Sequence, residues 1–182
     1  MARRRRPRAR KAPAPKPKVQ EDGKLSRGQV TEVLHEAVKF YFVKLMYSVH
    51  REVGVLRWGA ARLDVMALDL ASRITGVEVK SCLADYRSDK KWRSYLPYVN
   101  RMYMCFPKSV IDSRVFPEIK AELVAEGVGI LTLMDDGLLK CILPCKHKSM
   151  SVIKKFEIYK KLAWREGDSR KNISRVSRVY YD

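Results

Sequence analysis

The sequence predicts an α/β layered domain, a mixed β-sheet with helices against both faces. Three observations carry that prediction. Apolar runs with helical spacing alternate along the chain with short β-rich runs. Two β-rich runs, 62–70 and 74–80, are separated only by "ASR", a short polar turn, and so form a hairpin. The third is size: 182 residues suffice for one domain with a substantial core.

Element by element, "LSRGQVTEVLHEAVKFYFVKLMYSVHREVG" (25–54) reads as one helix. Val30, Val33, Leu34, Ala37, Val38, Tyr41 and Leu45 form its apolar stripe, and Gly54 marks its end. The hairpin follows. "DYRSDKKWRSYLPYVN" (85–100) reads as a helix to about Leu96, where Pro97 interrupts it. "RMYMCF" is a short buried strand that stops at Pro107. "FPEIKAELVAEG" is a helix with Pro117 near its first turn and Gly127 at its end. "VGILTLM" is a strand closed by the turn "DDG", and 151–164 is a final basic helix with Val152, Ile153, Phe156, Ile158, Tyr159 and Leu162 as its apolar positions. No repeat and no heptad is present.

Charge divides the chain into a basic tail (1–22), a domain (23–165) and a basic C-terminal extension (166–182). The formal net charge is +18. Residues 1–20 hold nine Lys/Arg and no acid, and from Lys140 onward there are twelve Lys/Arg against four acids. The stretch between them is close to neutral, with seventeen basic and sixteen acidic residues. Basic ends on a neutral body suit a globular unit that approaches a polyanion. The tail "MARRRRPRARKAPAPKPK" has no large apolar residue beyond Met1, so it is expected to be disordered, with Arg3, Arg4, Arg5 and Arg6 contacting phosphates. A solubilising tail or a targeting address is the plain alternative.

No apolar segment suits a secretory signal or a membrane span, so a cytoplasmic, nucleoid-associated protein with no membrane partner is expected. Cys82, Cys105, Cys141 and Cys145 read as reduced thiols, and "CILPCKH" lacks the spacing of a zinc site. His35, His50 and His147 form no triad with a nucleophile, which removes support for Ser- or Cys-based hydrolysis.

The hairpin holds the chemistry. With its turn centred on Ala71, Asp64 lies across from Glu78, and alternation puts Lys80 on the same face. Two facing carboxylates repel, and a hard divalent cation, Mg²⁺ or Mn²⁺, relieves that conflict. Such an ion polarises a phosphoryl oxygen and acidifies water, while Lys80 orients the water or stabilises developing charge. The plain alternative is an exposed strand whose Glu and Lys face solvent.

"RLDVMALD", "GVEVKSCLADYRSDKKW" and "RMYMCFP" together resemble the PD-(D/E)XK nuclease superfamily, and within it the MmcB-related DNA repair proteins. Similarity is densest over 61–107, and its more specific part runs through Ser81, Asp85, Tyr86, Arg87, Asp89, Lys91 and Trp92. The resemblance implies a restriction-endonuclease-like mixed sheet. It also implies metal ligation by Asp64, Glu78 and the Val79 backbone carbonyl, with Lys80 as the catalytic lysine. Leu63 stands where the superfamily often has proline. Gly28 and Glu32 reproduce a Gly-x-x-x-Glu pattern of resolvase-like members, which makes Glu32 a further site candidate, although Glu32 falls opposite the apolar stripe. Lys90, Lys91 and Arg93 follow the active strand and are candidate phosphate contacts, or else a solvated helix face. Trp92 reads as core in preference to a base-stacking residue.

Two functions follow from this sequence. One is a metal-dependent DNA endonuclease of repair, acting on branched or damaged DNA, with a homodimer serving two-strand cleavage. The other is a non-catalytic DNA- or RNA-binding protein that keeps the nuclease-like fold.

Overall fold

The computed structural model describes residues 25–55 and 61–166. The basic tail with Arg3, Arg4, Arg5 and Arg6, and the C-terminal extension beyond Glu166, lie outside them.

Helix α1 (Arg27–Lys44) starts at a capping box, in which Gln29 N donates to Ser26 Oγ (3.3 Å) and Ser26 N donates to Gln29 Oε1 (2.8 Å). It buries Leu34, His35, Val38 and Phe42. The expected single helix over 25–54 is corrected here. α1 ends at Lys44, and the chain turns into a strand, β1 (Ser48–Gly54). The stop is a Schellman motif: Met46 N donates to Val43 O and Tyr47 N to Phe42 O, both at 3.0 Å. Met46 takes the left-handed conformation (φ 64°), and the Phe42 and Tyr47 rings meet edge-on at 5.2 Å. Glycine usually occupies that position, and with methionine there the sequence shows no stop signal.

Strands β2 (Arg62–Leu68) and β3 (Ile74–Val79) form the expected hairpin, with Val65 opposite Val77 and Met66 opposite Gly76. Helix α2 (Leu83–Ser88) and a 3₁₀ segment (Trp92–Tyr98) lead to β4 (Arg101–Pro107), which runs parallel to β3. The expected continuous helix to Leu96 is thus broken at Asp89, which adopts an extended conformation. A single turn, α3 (Lys108–Ile111), and α4 (Phe116–Glu126) lead to β5 (Gly129–Leu133), parallel to β4. Gly127 closes α4 with φ 71° and Pro117 lies in its first turn, as the sequence indicates. Strand β6 (Leu139–Leu143), not anticipated from sequence, pairs antiparallel with β5 across the "DDG" turn. Helix α5 (Val152–Glu166) closes the domain.

The strands form one mixed six-stranded sheet in chain order. Each face has its own core. α1 lays Leu34, Val38 and Phe42 on Val65, Ala67, Val77, Val79, Cys105 and Leu131. On the other face, Trp92 and Tyr95, Ile119 and Leu123 of α4, and Ile158 and Leu162 of α5 cover Met66, Ile74, Met102, Met104 and Ile130. Helices therefore flank both faces. A side chain at Gly76 would come within 2.8 Å of Leu63 and 2.9 Å of Val99, so glycine lets the second core close over β3.

Candidate metal centre and its surroundings

Asp64 sits where the strand ladders fail. The β1–β2 register steps from Arg51/Val65 to Val53/Leu63 and leaves out Glu52, which has φ 53°. The β2–β3 register ends at Val65/Val77. Leu63 packs in the core of Met66 and not in that of Val65, so the alternation of faces slips at Asp64. Side-chain bonds replace ladder bonds at this point. Val79 N donates to Asp64 Oδ2 (2.8 Å), and Asp64 N donates to Glu78 Oε1 (3.2 Å). The hairpin thus ends by locking its two acids together.

Glu78 and Lys80 are buried, with 3 % and 5 % of their surface exposed. Lys80 Nζ donates to Glu78 Oε2 (3.2 Å) and to Asp89 Oδ2 (2.5 Å). The solvent-facing alternative for this pair is excluded by that burial. Asp89 explains the broken helix: its other oxygen, Oδ1, accepts the Lys91 N–H at 2.7 Å, so leaving helical geometry satisfies both a buried ammonium and the next turn. Asp85, four residues earlier, accepts from Ser81 N (2.9 Å) and Ser81 Oγ (3.1 Å) and holds the strand-to-helix junction.

Burial, and then the facing Asp64 charge, pushes the Glu78 carboxyl up to about 8 from an ordinary 4.5. Burial also raises Asp64, against the opposing pull of the Val79 amide and of Lys80. For Lys80, desolvation acts downward, but Glu78 and Asp89 outweigh it and hold the ammonium above the usual lysine range. Burial and then the Glu78 charge raise the Tyr95 phenol to about 12.

The other candidates separate from this centre. Glu32 is 60 % exposed at its side chain and is held by Arg51 through two bonds of 2.8 Å. Arg93 is engaged by Glu122 (2.6 Å) and Glu126 (2.9 Å) and stacks 4.3 Å over Trp92, which is 1 % exposed and belongs to the core. Lys90 and Lys91 are exposed. Asp89 is the residue at the centre that the sequence marked only as part of the stretch of family resemblance, with no role; its pairing with Lys80 nine positions away had no local signal. The cysteines are free thiols among the described residues, and no described helix is long and apolar enough to cross a membrane.

The donor set offers hard oxygens: two carboxylates on adjacent strands and the peptide carbonyls beside them. Among the described residues no group of three or more His, Cys, Asp or Glu side chains gathers to hold an ion. Two carboxylates fit Mg²⁺ or Mn²⁺, which keep waters and accept substrate oxygens, and do not fit zinc, which favours nitrogen and sulfur. Asp64 on one strand and Glu78 with Lys80 on the next, within a mixed α/β sheet, keep the D…ExK register that the sequence predicts. The family follows from comparison: residues 16–162 match the model of the MmcB-like DNA repair proteins, and the chain belongs to that family. A protein of unknown function from Silicibacter pomeroyi is 23 % identical, with TM-score 0.62 over 75 % of this chain and 86 % of that one, and shares its fold. A repair endonuclease from Pyrococcus abyssi is 19 % identical, with TM-score 0.36 over 61 % of this chain and 48 % of that one. SfsA from Pyrococcus furiosus, in complex with Ca²⁺, is 14 % identical, with TM-score 0.34 over 68 % and 64 %. The last two scores are too low to bear on this chain. No curated protein matches it.

Proposed function

We propose that this chain is a metal-dependent deoxyribonuclease of DNA repair, built on a restriction-endonuclease-like sheet. The observation that supports it is the acid pair at the end of the hairpin. Glu78 is buried with the half-buried Asp64 opposite it, and burial, then the Asp64 charge, pushes Glu78 up to about 8. A desolvated acid beside a second one costs stability unless a cation relieves it, and a binding module gains nothing from such a pair near a polyanion. Asp64, Glu78 and the Val79 carbonyl would hold Mg²⁺ or Mn²⁺. When bound, the ion would polarise a phosphoryl oxygen and acidify a water. Lys80, fixed between Glu78 and Asp89, keeps its proton and presents positive charge to a scissile phosphate. Lys90 and Lys91 supply phosphate contacts, and the arginines of the tail add salt-sensitive affinity for DNA.

The alternative is a non-catalytic DNA- or RNA-binding protein, favoured by one observation: both acids bonded to Lys80 already neutralise it. Titration of Mn²⁺ into wild type, Glu78→Gln and Lys80→Met, followed by incubation with linear, nicked, flapped and four-way DNA, separates the two. Glu78→Gln should lose the ion and with it cleavage. Lys80→Met should keep the ion and lose cleavage. Equal ion binding by wild type and Glu78→Gln sinks the enzyme reading. Removing residues 1–20 should lower the slope of log affinity for DNA against log salt, and an unchanged slope refutes the arm.

A further inference from the structure

Helix α5 buries one face and leaves the other in water. Ile158 and Leu162 sink into the core, and the Tyr159 hydroxyl donates to Ser72 O. Lys161 Nζ donates to Gly54 O (3.0 Å) and Val55 O (3.1 Å), and Arg165 Nη1 donates to Glu52 O (3.0 Å). The outer face is apolar as well. Phe156 is 68 % exposed and Trp164 67 %, and Val152 and Ile153 are exposed further still. Periodicity counts Val152, Ile153 and Phe156 in the buried stripe of this helix, but the structure leaves all three in solvent. Phe156, Lys160 and Trp164 follow one another at intervals of four residues, so they climb one side of the helix a turn at a time. Lys160 is thus flanked by two exposed rings, and it has no ion pair or hydrogen bond among the described residues.

Charge selects what covers this face. α5 carries five Lys/Arg against two Glu, so a second copy of the chain would bring a helix of the same sign against it. A lipid surface takes a helix with its basic residues on the opposite side from the apolar ones, whereas Lys160 stands in the middle of the aromatic stripe. An unpaired nucleic-acid strand meets both features: its bases stack on exposed rings, and its phosphates meet the lysine between them. A duplex does not, because its base faces are already stacked on one another.

The strip also leads to the acid pair. Glu52, whose carbonyl Arg165 holds, falls between the Arg51/Val65 and Val53/Leu63 pairs, across the ladder from Asp64. Glu78 alternates with Val77 and Val79, which line the α1 core, so it points to the face that α5 covers.

We propose that the Phe156–Lys160–Trp164 face of α5 binds an unpaired DNA strand and guides it to the end of the sheet that holds Asp64 and Glu78. Eight residues of helix set the two rings about 12 Å apart along the axis, roughly the span of three stacked nucleotides. DNA is the strand that a repair family implies. The guiding role rests on the nuclease reading above; the binding does not.

The test uses the full chain in EDTA, so that neither a metal ion nor cleavage enters. The probes are labelled oligo-dT of about 20 nucleotides, a duplex of equal length and oligo-rU. Phe156→Ala and Trp164→Ala should each weaken oligo-dT binding about tenfold and change duplex binding by less than about twofold. Trp164→Phe keeps a ring and should stay within about threefold of wild type. Lys160→Gln should lower the slope of log affinity for oligo-dT against log salt by about 0.7. Wild-type affinity for oligo-dT in the double variant Phe156→Ala/Trp164→Ala overturns the proposal, and so does an equal loss on the duplex. Binding of oligo-rU about tenfold tighter than oligo-dT makes the partner RNA and overturns it too. The rival occupants have their own signatures: a wild-type dimer in sedimentation, or retention on phosphatidylserine vesicles. Either of these, abolished in the double variant while oligo-dT affinity stays intact, overturns the strand site. If wild type binds no Mn²⁺ while the oligo-dT losses appear, the nuclease reading fails and the strand site stands.

Discussion

Two ion clusters in this molecule share one plan and differ in their access to water. In each, a cation lies between two carboxylates: Lys80 between Glu78 (3.2 Å) and Asp89 (2.5 Å), and Arg93 between Glu122 (2.6 Å) and Glu126 (2.9 Å). Side-chain exposures are 7 %, 4 % and 15 % in the first and 44 %, 40 % and 35 % in the second. The acids respond in opposite directions. Glu122, bonded first by the Tyr86 hydroxyl and also by Arg93, is held below the usual carboxylate range. Glu78 is driven up to about 8 although its lysine lies within ion-pair distance, at 3.2 Å. A neighbouring cation therefore does not set the sign. Desolvation and the second acid, Asp64, do. The exposed cluster ties α4 to the 3₁₀ segment, while the buried one holds unresolved charge that a ligand could relieve.

The largest test of this contrast removes each cation in turn. Lys80→Met leaves two acids in or near the interior without a counter-charge and should cost about 3–5 kcal/mol in metal-free urea denaturation. A loss below about 1 kcal/mol would make the two clusters equivalent.

The contrast also predicts a pH dependence. Unfolded, Glu78 titrates near 4.5; folded, near 8. Between those values the folded state holds the extra proton, so its stability is complete below pH 4.5 and declines as pH rises to 8. In EDTA, stability should fall by about 2–3 kcal/mol across that window, and Glu78→Gln should flatten the profile. A profile that is flat or rises in wild type contradicts the burial argument.

Asp89→Asn sharpens the comparison from the other partner. The amide can still accept the Lys91 N–H but withdraws the charge from Lys80, and the expected loss is about 1.5 kcal/mol. Proteolysis between α2 and the 3₁₀ segment should speed up in this variant if Asp89 is what pins that break.

The smallest effect belongs to the exposed cluster. Arg93→Met should change stability by less than about 1 kcal/mol, and 1 M salt should remove most of the difference. A larger, salt-resistant loss would show that its stacking on Trp92, not its ion pairs, carries the energy.

Much of this was legible in the residues, and the parts that were not share a cause. The sequence alone placed the hairpin turn at Ala71 and Asp64 opposite Glu78, and the observed pairing of Val65 with Val77 keeps that register. The helix with Pro117 and Gly127, the strand through Cys105 and the core role of Trp92 were equally readable. β1 escaped because Met46 performs a turn that glycine usually signals. The helix break at Asp89 escaped because its reason, the Lys80 ammonium, is nine residues away and reaches it only after folding.

What the sequence determined by itself was therefore local: strand period, turn centre, a helix cap and the register of the hairpin. Each depends on neighbours within a few residues, where chain geometry leaves few choices. Only the tertiary structure decided that Glu78 and Lys80 are buried, that Asp89 completes their charge balance, and that Glu32 is tied up by Arg51, away from the two acids of the hairpin. Those outcomes turn on how much water is excluded when distant segments pack, and desolvation is a property of the assembled layers that no single stretch of sequence encodes.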